Sequence, residues 1–440
     1  MADSATLSVL TSPHVDERPT MIVGVTSQES CLIMGARLRV LRRAGFRVVL
    51  VCSLGPLVDS TATSAGVERA TIPMRRTIAP VGDLLALFRL WLLIGKCKPD
   101  LVEFGTPKVG LLGTLAAWLR GVPRRVYMLR GLKLERSSGL KRWILLAAER
   151  VACACAHVVL CNSASLRAEA LALRLAPAAK LLVLGEGSSN GVDVERFSPG
   201  PTDVREKFDI PHEAPVVGFV GRFTRDKGLP ELMEAFDLIL LAEPSTHLLL
   251  VGWFDAADDA LDAGLCDRIL SHPRIHCTGF VADTAQYYRA MDVMVLPTWR
   301  EGFPNAILEA AATGIPVVTT ECTGARDAVV AEVTGLLVPP GYPEAIYESV
   351  IKLLRDPERR LRMGRAARAW VTEHYSEERV LGLTADYYRG MVEAESLPHR
   401  SAEGSRIARL RRAHPRLGMV TRGLSRLKKA TAQTDAVGNR

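Results

Sequence analysis

The chain has 440 residues, enough for two domains each with its own core. With 48% apolar and 24% charged residues it has the composition of an ordinary globular protein, which excludes a disordered or low-complexity chain. The net charge of +8 is unevenly placed: between Arg400 and Lys429 stand ten Lys or Arg against one acid, Glu403, so the body is near neutral and the tail carries the excess.

Residues 1–20 are polar and contain no apolar core, so no signal peptide is expected. No segment has the length of a membrane span; the best candidate, 84–94, is too short and carries Arg89. Apolar runs of four to seven residues alternate with helical-period stretches throughout, the pattern of parallel sheets with crossover helices. In the first half, strands are expected at 21–26, 47–52, 101–104, 125–129, 157–161 and 181–184, with helices at 32–44, 83–97, 109–119, 140–156 and 163–173. Phe197 to Pro201 reads as a turn-rich linker. Beyond it, strands are expected at 216–220, 247–251, 274–278, 293–296 and 317–320, and a last helix at 376–392. The class is therefore α/β, in two similar halves. The nine cysteines are scattered, and Cys153, Cys155 and Cys161 have no partner at metal-ligand spacing, so buried reduced thiols of a cytosolic protein are expected.

The stretch from Pro297 to Pro316 carries the most chemistry. The polar loop 298–305 follows a buried strand and leads into a helix at 306–313, which Gly314 and Pro316 end. A loop entering a helix at the end of a parallel strand holds an anion such as a diphosphate through backbone N–H groups and the helix dipole. Glu301 in the loop and Glu309 in the helix are acceptors for sugar hydroxyls, and Glu309, set among apolar residues, needs a hydrogen-bonding partner. Upstream, the strand at 216–220 ends in Gly221-Arg-Phe-Thr-Arg-Asp-Lys-Gly228, which offers Arg222 and Lys227 as cations at an equivalent strand end. Cations for phosphate and carboxylates for hydroxyls describe a nucleotide-sugar site. Taken alone, Arg225, Asp226 and Lys227 read better as a solvated turn before a helix; Glu301 and Glu309 reverse that reading. Asp255, Asp258 and Asp259 cluster among alanines and read as solvated, and no Asp-x-Asp pair stands at a strand end as a metal ligand.

Residues 221–228 (GRFTRDKG) together with 301–309 (EGFPNAILE) resemble the donor half of the retaining glycosyltransferases of family four, which have the two-Rossmann glycosyltransferase-B fold. The IPMRR run from Ile72, DLV from Asp100, TPKVG from Thr106, RGL from Arg130 and GSSNGVD from Gly187 resemble a bacterial branch that extends lipid-linked oligosaccharides for capsule, exopolysaccharide or protein glycosylation. The resemblance covers residues 20 to 395. It implies a polar lead at 1–19, an acceptor domain at 20–198, a donor domain at 199–375, a helix at 376–395 returning to the first domain, and a basic tail at 396–440. It also implies that Arg222 and Lys227 neutralise the donor diphosphate as the glycosidic bond breaks, each contributing about 2–4 kcal/mol to the transition state. Glu301 would bind the transferred sugar and Glu309 the ribose. Gly221, Gly302, Phe303, Pro304 and Asn305 would cradle the phosphates, Gly302 by allowing close approach. Gly279 and Phe280 would seat the base. On the acceptor side the candidates are Glu103, Lys108, Arg130 and Asn190. Many members carry a His where this chain has Arg130; an Arg binds phosphate but cannot take a proton. The implied chemistry is a front-face displacement in which the leaving phosphate accepts the acceptor's proton, with no enzyme nucleophile, metal or cofactor.

The chain is thus expected to be a cytoplasmic enzyme, peripheral on the inner face of the plasma membrane. It would move an N-acetylhexosamine from a UDP-sugar onto an undecaprenyl-diphosphate-linked acceptor. Two segments would meet anionic lipid. One is the apolar stretch 83–97, which reads equally as a core crossover helix. The other is the tail from Arg400 to Lys429, where Arg406, Arg409, Arg412 and Arg416 interleave with Ile407, Leu410 and Leu417. Aromatics are absent from 400–440, which argues against base stacking and nucleic acid. The rival readings are a UDP-sugar 2-epimerase of the same fold, a transferase with a soluble acceptor, and a non-catalytic nucleotide-sugar binding subunit. The oligomeric state is left open.

Overall fold

The structure, a computed structural model, describes residues 17–75, 77–255 and 259–394. The basic tail, Asp258 and most of the polar lead lie outside the described residues.

Val-, Ile- and Leu-rich runs buried on both faces make two parallel sheets. The first has seven strands, β1 (Thr20–Gly24), β2 (Arg47–Cys52), β3 (Glu68–Thr71), β4 (Leu101–Gly105), β5 (Arg124–Leu129), β6 (Val158–Cys161) and β7 (Leu181–Leu182), in the order β3-β2-β1-β4-β5-β6-β7. The second has six, β8 (Val216–Val220), β9 (His247–Val251), β10 (Ile275–Cys277), β11 (Val293–Leu296), β12 (Val317–Thr320) and β13 (Gly335–Val338), in the order β10-β9-β8-β11-β12-β13. Two strands escape the sequence reading. β3 is a polar edge strand (ERAT) with no apolar run, and β13 is a four-residue GLLV run at the opposite edge of its sheet. The helix expected at 32–44 begins instead as a 3-10 turn, Gln28–Ile33, and becomes α-helical only at Gly35–Arg43.

Right-handed crossovers set Pro80–Cys97, Pro107–Leu119 and Gly139–Cys155 side by side on one face of the first sheet. The helix Pro80–Cys97 serves in part as a core crossover: Ala86, Leu90, Leu93 and Ile94 are buried, whereas Val81, Leu84, Leu85 and Phe88 are exposed. Among the described residues no helix is long and apolar enough to cross a membrane.

The last helix, Glu377–Glu393, packs on the opposite face of the first sheet, where Ala385 and Tyr388 join a core with Met21, Leu38 and Leu50. This contact contains a buried ion pair. Arg37 donates to Glu103 Oε2 at 2.6 Å and to the Ser189 carbonyl at 2.7 Å, and the Tyr388 hydroxyl donates to the same carboxylate at 2.8 Å. Arg37 and Glu103 are each 1% exposed. Glu103, expected at the cleft, is therefore committed to this network, because a carboxylate so deeply buried must be paired.

Removing one partner of such a pair leaves the other charge buried and uncompensated. Arg37→Met is expected to lower unfolding stability by about 3–5 kcal/mol in urea titrations; a loss below about 1 kcal/mol would show that the pair behaves as a surface one.

Candidate active site between the two sheets

In parallel sheets the loops at the carboxyl ends of the strands are the ones free to build a site. Here the loops after β4 and β5 face those after β8 and β11 across a cavity of about 210 Å³. Thr106, Pro107, Tyr127, Arg130 and Lys133 line it from the first half, and Arg222, Asp226, Lys227, Arg300, Glu301 and Gly302 from the second. Five cations thus face two carboxylates in one cleft, an electrostatic setting for an anion.

The donor-half loops are clasped together. Gly228 turns in the left-handed region (φ +78°), and a Cβ there would lie 2.0 Å from the Pro297 carbonyl oxygen, so the chain passes tightly under the next loop. Asp226, 2% exposed, accepts from Thr224 at 2.6 Å and from Arg300 at 2.7 Å, while its carbonyl accepts from the Trp299 N–H at 2.9 Å. Burial raises the Asp226 carboxyl, but the Thr224 bond and the Arg300, Lys227 and Arg222 charges outweigh it and hold it below its ordinary value. Asp226 and Lys227 are therefore a structural clasp rather than part of a solvated turn, and of residues 225–227 only Arg225 is exposed.

Three of the four residues central to the sequence reading stand in two ion pairs. Lys227 bonds Glu301, and Arg222 donates to Asp255 at 2.7 Å. Burial pulls the Arg222 guanidinium down, yet the Asp255 bond and the charges of Asp226, Asp255 and Glu301 hold it raised. Asp255 is thus not solvated as expected: its side chain is 13% exposed. Asp259 lies half exposed, 3.9 Å from Arg300.

Glu309 lies one helix turn deeper and does not line the cavity. Its Oε2 accepts from the Tyr288 hydroxyl at 2.8 Å and from Thr284 at 3.4 Å, which supplies the partner its apolar helix demands. Burial pushes its carboxyl above the ordinary value despite those bonds. The helix Asn305–Ala312 starts directly after the loop. Phe303 packs on Tyr375 and Pro304 is buried, so these positions offer backbone only. Gly302 departs from the expectation. A Cβ there would lie 2.0 Å from the Arg130 carbonyl oxygen, so its close approach is to the first half of the chain rather than to a ligand. Gly221 closes β8 at φ +154°, and a Cβ on the neighbouring Gly252 would lie 1.8 Å from its carbonyl oxygen. Gly279 (φ +70°) turns after β10, and the half-exposed Phe280 meets Trp253 edge-on; both lie outside the cavity lining.

Of the four acceptor-side candidates, Glu103, Lys108, Arg130 and Asn190, Arg130 alone lines the cavity. It lies 3.8 Å from Glu103 and 3.4 Å from Ser189 Oγ, and burial beside Arg37 lowers its guanidinium to about 10 despite Glu103. Lys108 is instead tied to Asp83 at 2.5 Å and to the Thr77 carbonyl. Asn190 is 6% exposed, and neither atom of its side-chain amide has a hydrogen-bond partner among the described residues. Sequence reasoning missed Asp226, Arg300, Thr106 and Lys133 as cavity residues, although Asp226 and Thr106 sit inside the quoted motifs.

Residues 214–356 match the family described as Glycosyl transferases group 1, and residues 37–187 match the Glycosyl transferase 4-like domain. The capsular polysaccharide biosynthesis glycosyltransferase CapM of Staphylococcus aureus is 36% identical over 355 residues, covering 80% of this chain and 92% of CapM. The Escherichia coli UDP-Gal:alpha-D-GlcNAc-diphosphoundecaprenol alpha-1,3-galactosyltransferase is 28% identical over 323 residues, 71% of this chain and 81% of that enzyme. Anabaena HepE, solved with UDP-glucose, superposes with a TM-score of 0.69 at 19% identity, covering 84% of this chain and all of HepE. Two parallel sheets facing such a cleft define a glycosyltransferase of the two-Rossmann, glycosyltransferase-B class. The chain belongs to glycosyltransferase family four.

A titrating group lies behind the cavity wall. Tyr127 lines the cleft and donates to Glu149 at 2.8 Å, and burial pushes the Glu149 carboxyl up from 4.5 to about 7. A raised folded-state pKa means that the folded protein binds more protons between those values, so stability falls as pH rises through about 7. Glu149→Gln is expected to flatten the fall in Tm between mildly acidic and mildly alkaline buffer; an unchanged slope would remove Glu149 from that balance.

Proposed function

We propose that this glycosyltransferase moves a sugar, an N-acetylhexosamine, from UDP onto an undecaprenyl-diphosphate-linked acceptor with retention, in polysaccharide or capsule assembly. The observation that carries the reading is the grouping of Arg222, Lys227, Arg300 and Glu301 from one half with Arg130 and Lys133 from the other around a single cavity. The acceptor class is supported by the E. coli relative named for a diphosphoundecaprenol acceptor, the setting by CapM, and the donor by HepE, solved with UDP-glucose.

The ion pairs suggest how the donor is received. A diphosphate arriving at Lys227 and Arg222 replaces Glu301 and Asp255 as their partner. Glu301, released from Lys227, then turns to the hydroxyls of the sugar. The cations act in place of a metal, neutralising the leaving UDP as its bond to the anomeric carbon breaks. The departing phosphate oxygen takes the proton of the attacking hydroxyl, so Arg130 need not act as a base; it serves as a cation for the acceptor diphosphate. Glu309, fixed by Tyr288, is the ribose acceptor, and the Gly279–Phe280 turn seats the base. The enzyme works at the inner face of the plasma membrane, where such acceptors are built.

Arg222→Ala and Lys227→Ala are each expected to lower kcat by roughly 10²–10³, the worth of about 2–4 kcal/mol of transition-state charge stabilisation. Glu309→Ala should weaken UDP itself in calorimetric titration, whereas Glu301→Ala should mainly lower turnover; equal loss of UDP affinity in both would refute these roles. Transfer of radiolabel from a panel of UDP-sugars into butanol-extractable lipid, with bacterial membranes as acceptor, tests the whole reading. Release of an epimer without lipid label would favour the 2-epimerase alternative, and label in a soluble product would favour a small-molecule acceptor.

A further inference from the structure

Two apolar stripes lie uncovered on the first half of the molecule. On the helix Pro80–Cys97, Val81, Leu84, Leu85 and Phe88 recur at the spacing of one helix face and are 75%, 68%, 51% and 56% exposed. On Gly139–Cys155, Leu140, Trp143 and Ile144 do the same at 76%, 67% and 47%. Single exposed apolar side chains are common, but two aligned runs of them are not. The helix Pro107–Leu119 packs between these two on the same sheet face, and seven of its residues are buried, so both stripes belong to one side of the molecule.

Both stripes begin at the rim of the cleft. Pro107 lines the cavity, and the next residue, Lys108, bonds Asp83 inside the first stripe. Lys133 lines the cavity, and its short helix Lys133–Arg136 is bonded to the second stripe through Arg142 and the Leu134 carbonyl at 2.8 Å. The charge on the three helices is mostly of one sign. The three helices contain only two acids, Asp83, paired with Lys108, and Glu149, buried against Tyr127. Lys96, Lys141, Arg136 and Arg150 are exposed around the stripes.

We propose that the two stripes are a docking face for an anionic lipid bilayer. Leu84, Phe88, Leu140 and Trp143 enter the headgroup boundary while the flanking Lys and Arg meet lipid phosphate. The purpose of this face rests on the proposed lipid-linked acceptor, since docking here sets the Arg130–Lys133 wall of the cleft against the membrane that holds it. A second copy of the chain fits the face poorly, because a two-fold contact would set the same basic rim against itself.

The test uses the full-length protein floated with phosphatidylcholine vesicles containing phosphatidylglycerol. Leu84→Glu with Phe88→Glu, and separately Leu140→Glu with Trp143→Glu, are each expected to reduce bound protein about tenfold, with Tm and UDP affinity unchanged. Brominated lipid should quench the tryptophan fluorescence of the native protein, and the quenching should largely disappear in Trp143→Phe. Native-level flotation of both double variants would overturn the proposal and leave binding to another segment. A dimer in light scattering that Leu140→Glu dissociates, with no quenching by brominated lipid, would overturn it in favour of self-association. Because flotation and quenching need no turnover, loss of the transferase reading in the radiolabel assay would leave this result standing.

Discussion

The cleft depends on how closely two backbones meet. Gly302, in the loop after β11, lies so near Arg130 and Gly131, in the loop after β5, that a methyl group on it would overlap the Arg130 carbonyl. Gly131 itself turns at φ +128°, open chiefly to glycine. Gly324 closes from the other side, where a Cβ would lie 2.5 Å from the Gly302 carbonyl oxygen, and its N–H donates to Ser165 of the first half at 2.8 Å. Arg136 stacks 4.5 Å above the Trp299 ring beside these contacts. The two walls are therefore held near enough for cations from both to act on one small anionic ligand, where a looser contact would leave two separate basic surfaces.

Charge compensation is the second constraint. Five cations in a narrow cleft repel one another, and the fold offsets this by pairing most of them within their own half of the chain. Arg300 bonds Asp226, Arg222 bonds Asp255, Lys227 bonds Glu301, and Arg130 lies against Glu103. Two of these pairs differ in kind. Asp226 and Glu103 are buried and fixed by further hydrogen bonds, so they hold their arginines in place. Glu301 and Asp255 are partly exposed, so their pairs can be exchanged for a phosphate at little desolvation cost. The cleft thus combines rigid cations with others ready to change partner.

Most of the strands were legible because each buried strand is a continuous apolar run, whatever its neighbours do. β3 was not, since this polar edge strand is held by backbone pairing to one neighbour and needs no such run, whereas β13 does carry a short apolar run and was passed over. Arg222, Lys227 and Glu301, which line the cavity, were picked out by residue type in loops after predictable strands; Glu309, in the helix that follows, does not line it. Glu103 and Lys108 were misjudged on the same logic. Glu103 lies in β4 and Lys108 in the first turn of the helix after it, but one is captured by Arg37 and Tyr388, and the other by Asp83 and Thr77. Arg300 was passed over because its neighbour Glu301 carried the recognisable pattern.

The sequence by itself determined the two parallel sheets, their crossover helices and the strand-end positions of the cations and carboxylates, because hydrophobic period and turn residues are local properties. Only the tertiary structure decided which charges pair, that Gly302 serves the contact between the halves, and that the helix Pro80–Cys97 buries one face and exposes another. Those outcomes depend on partners distant along the chain, such as Tyr388 for Glu103, and on which surfaces the neighbouring helices leave uncovered. Pairing and burial are relations between segments, and no single segment encodes them.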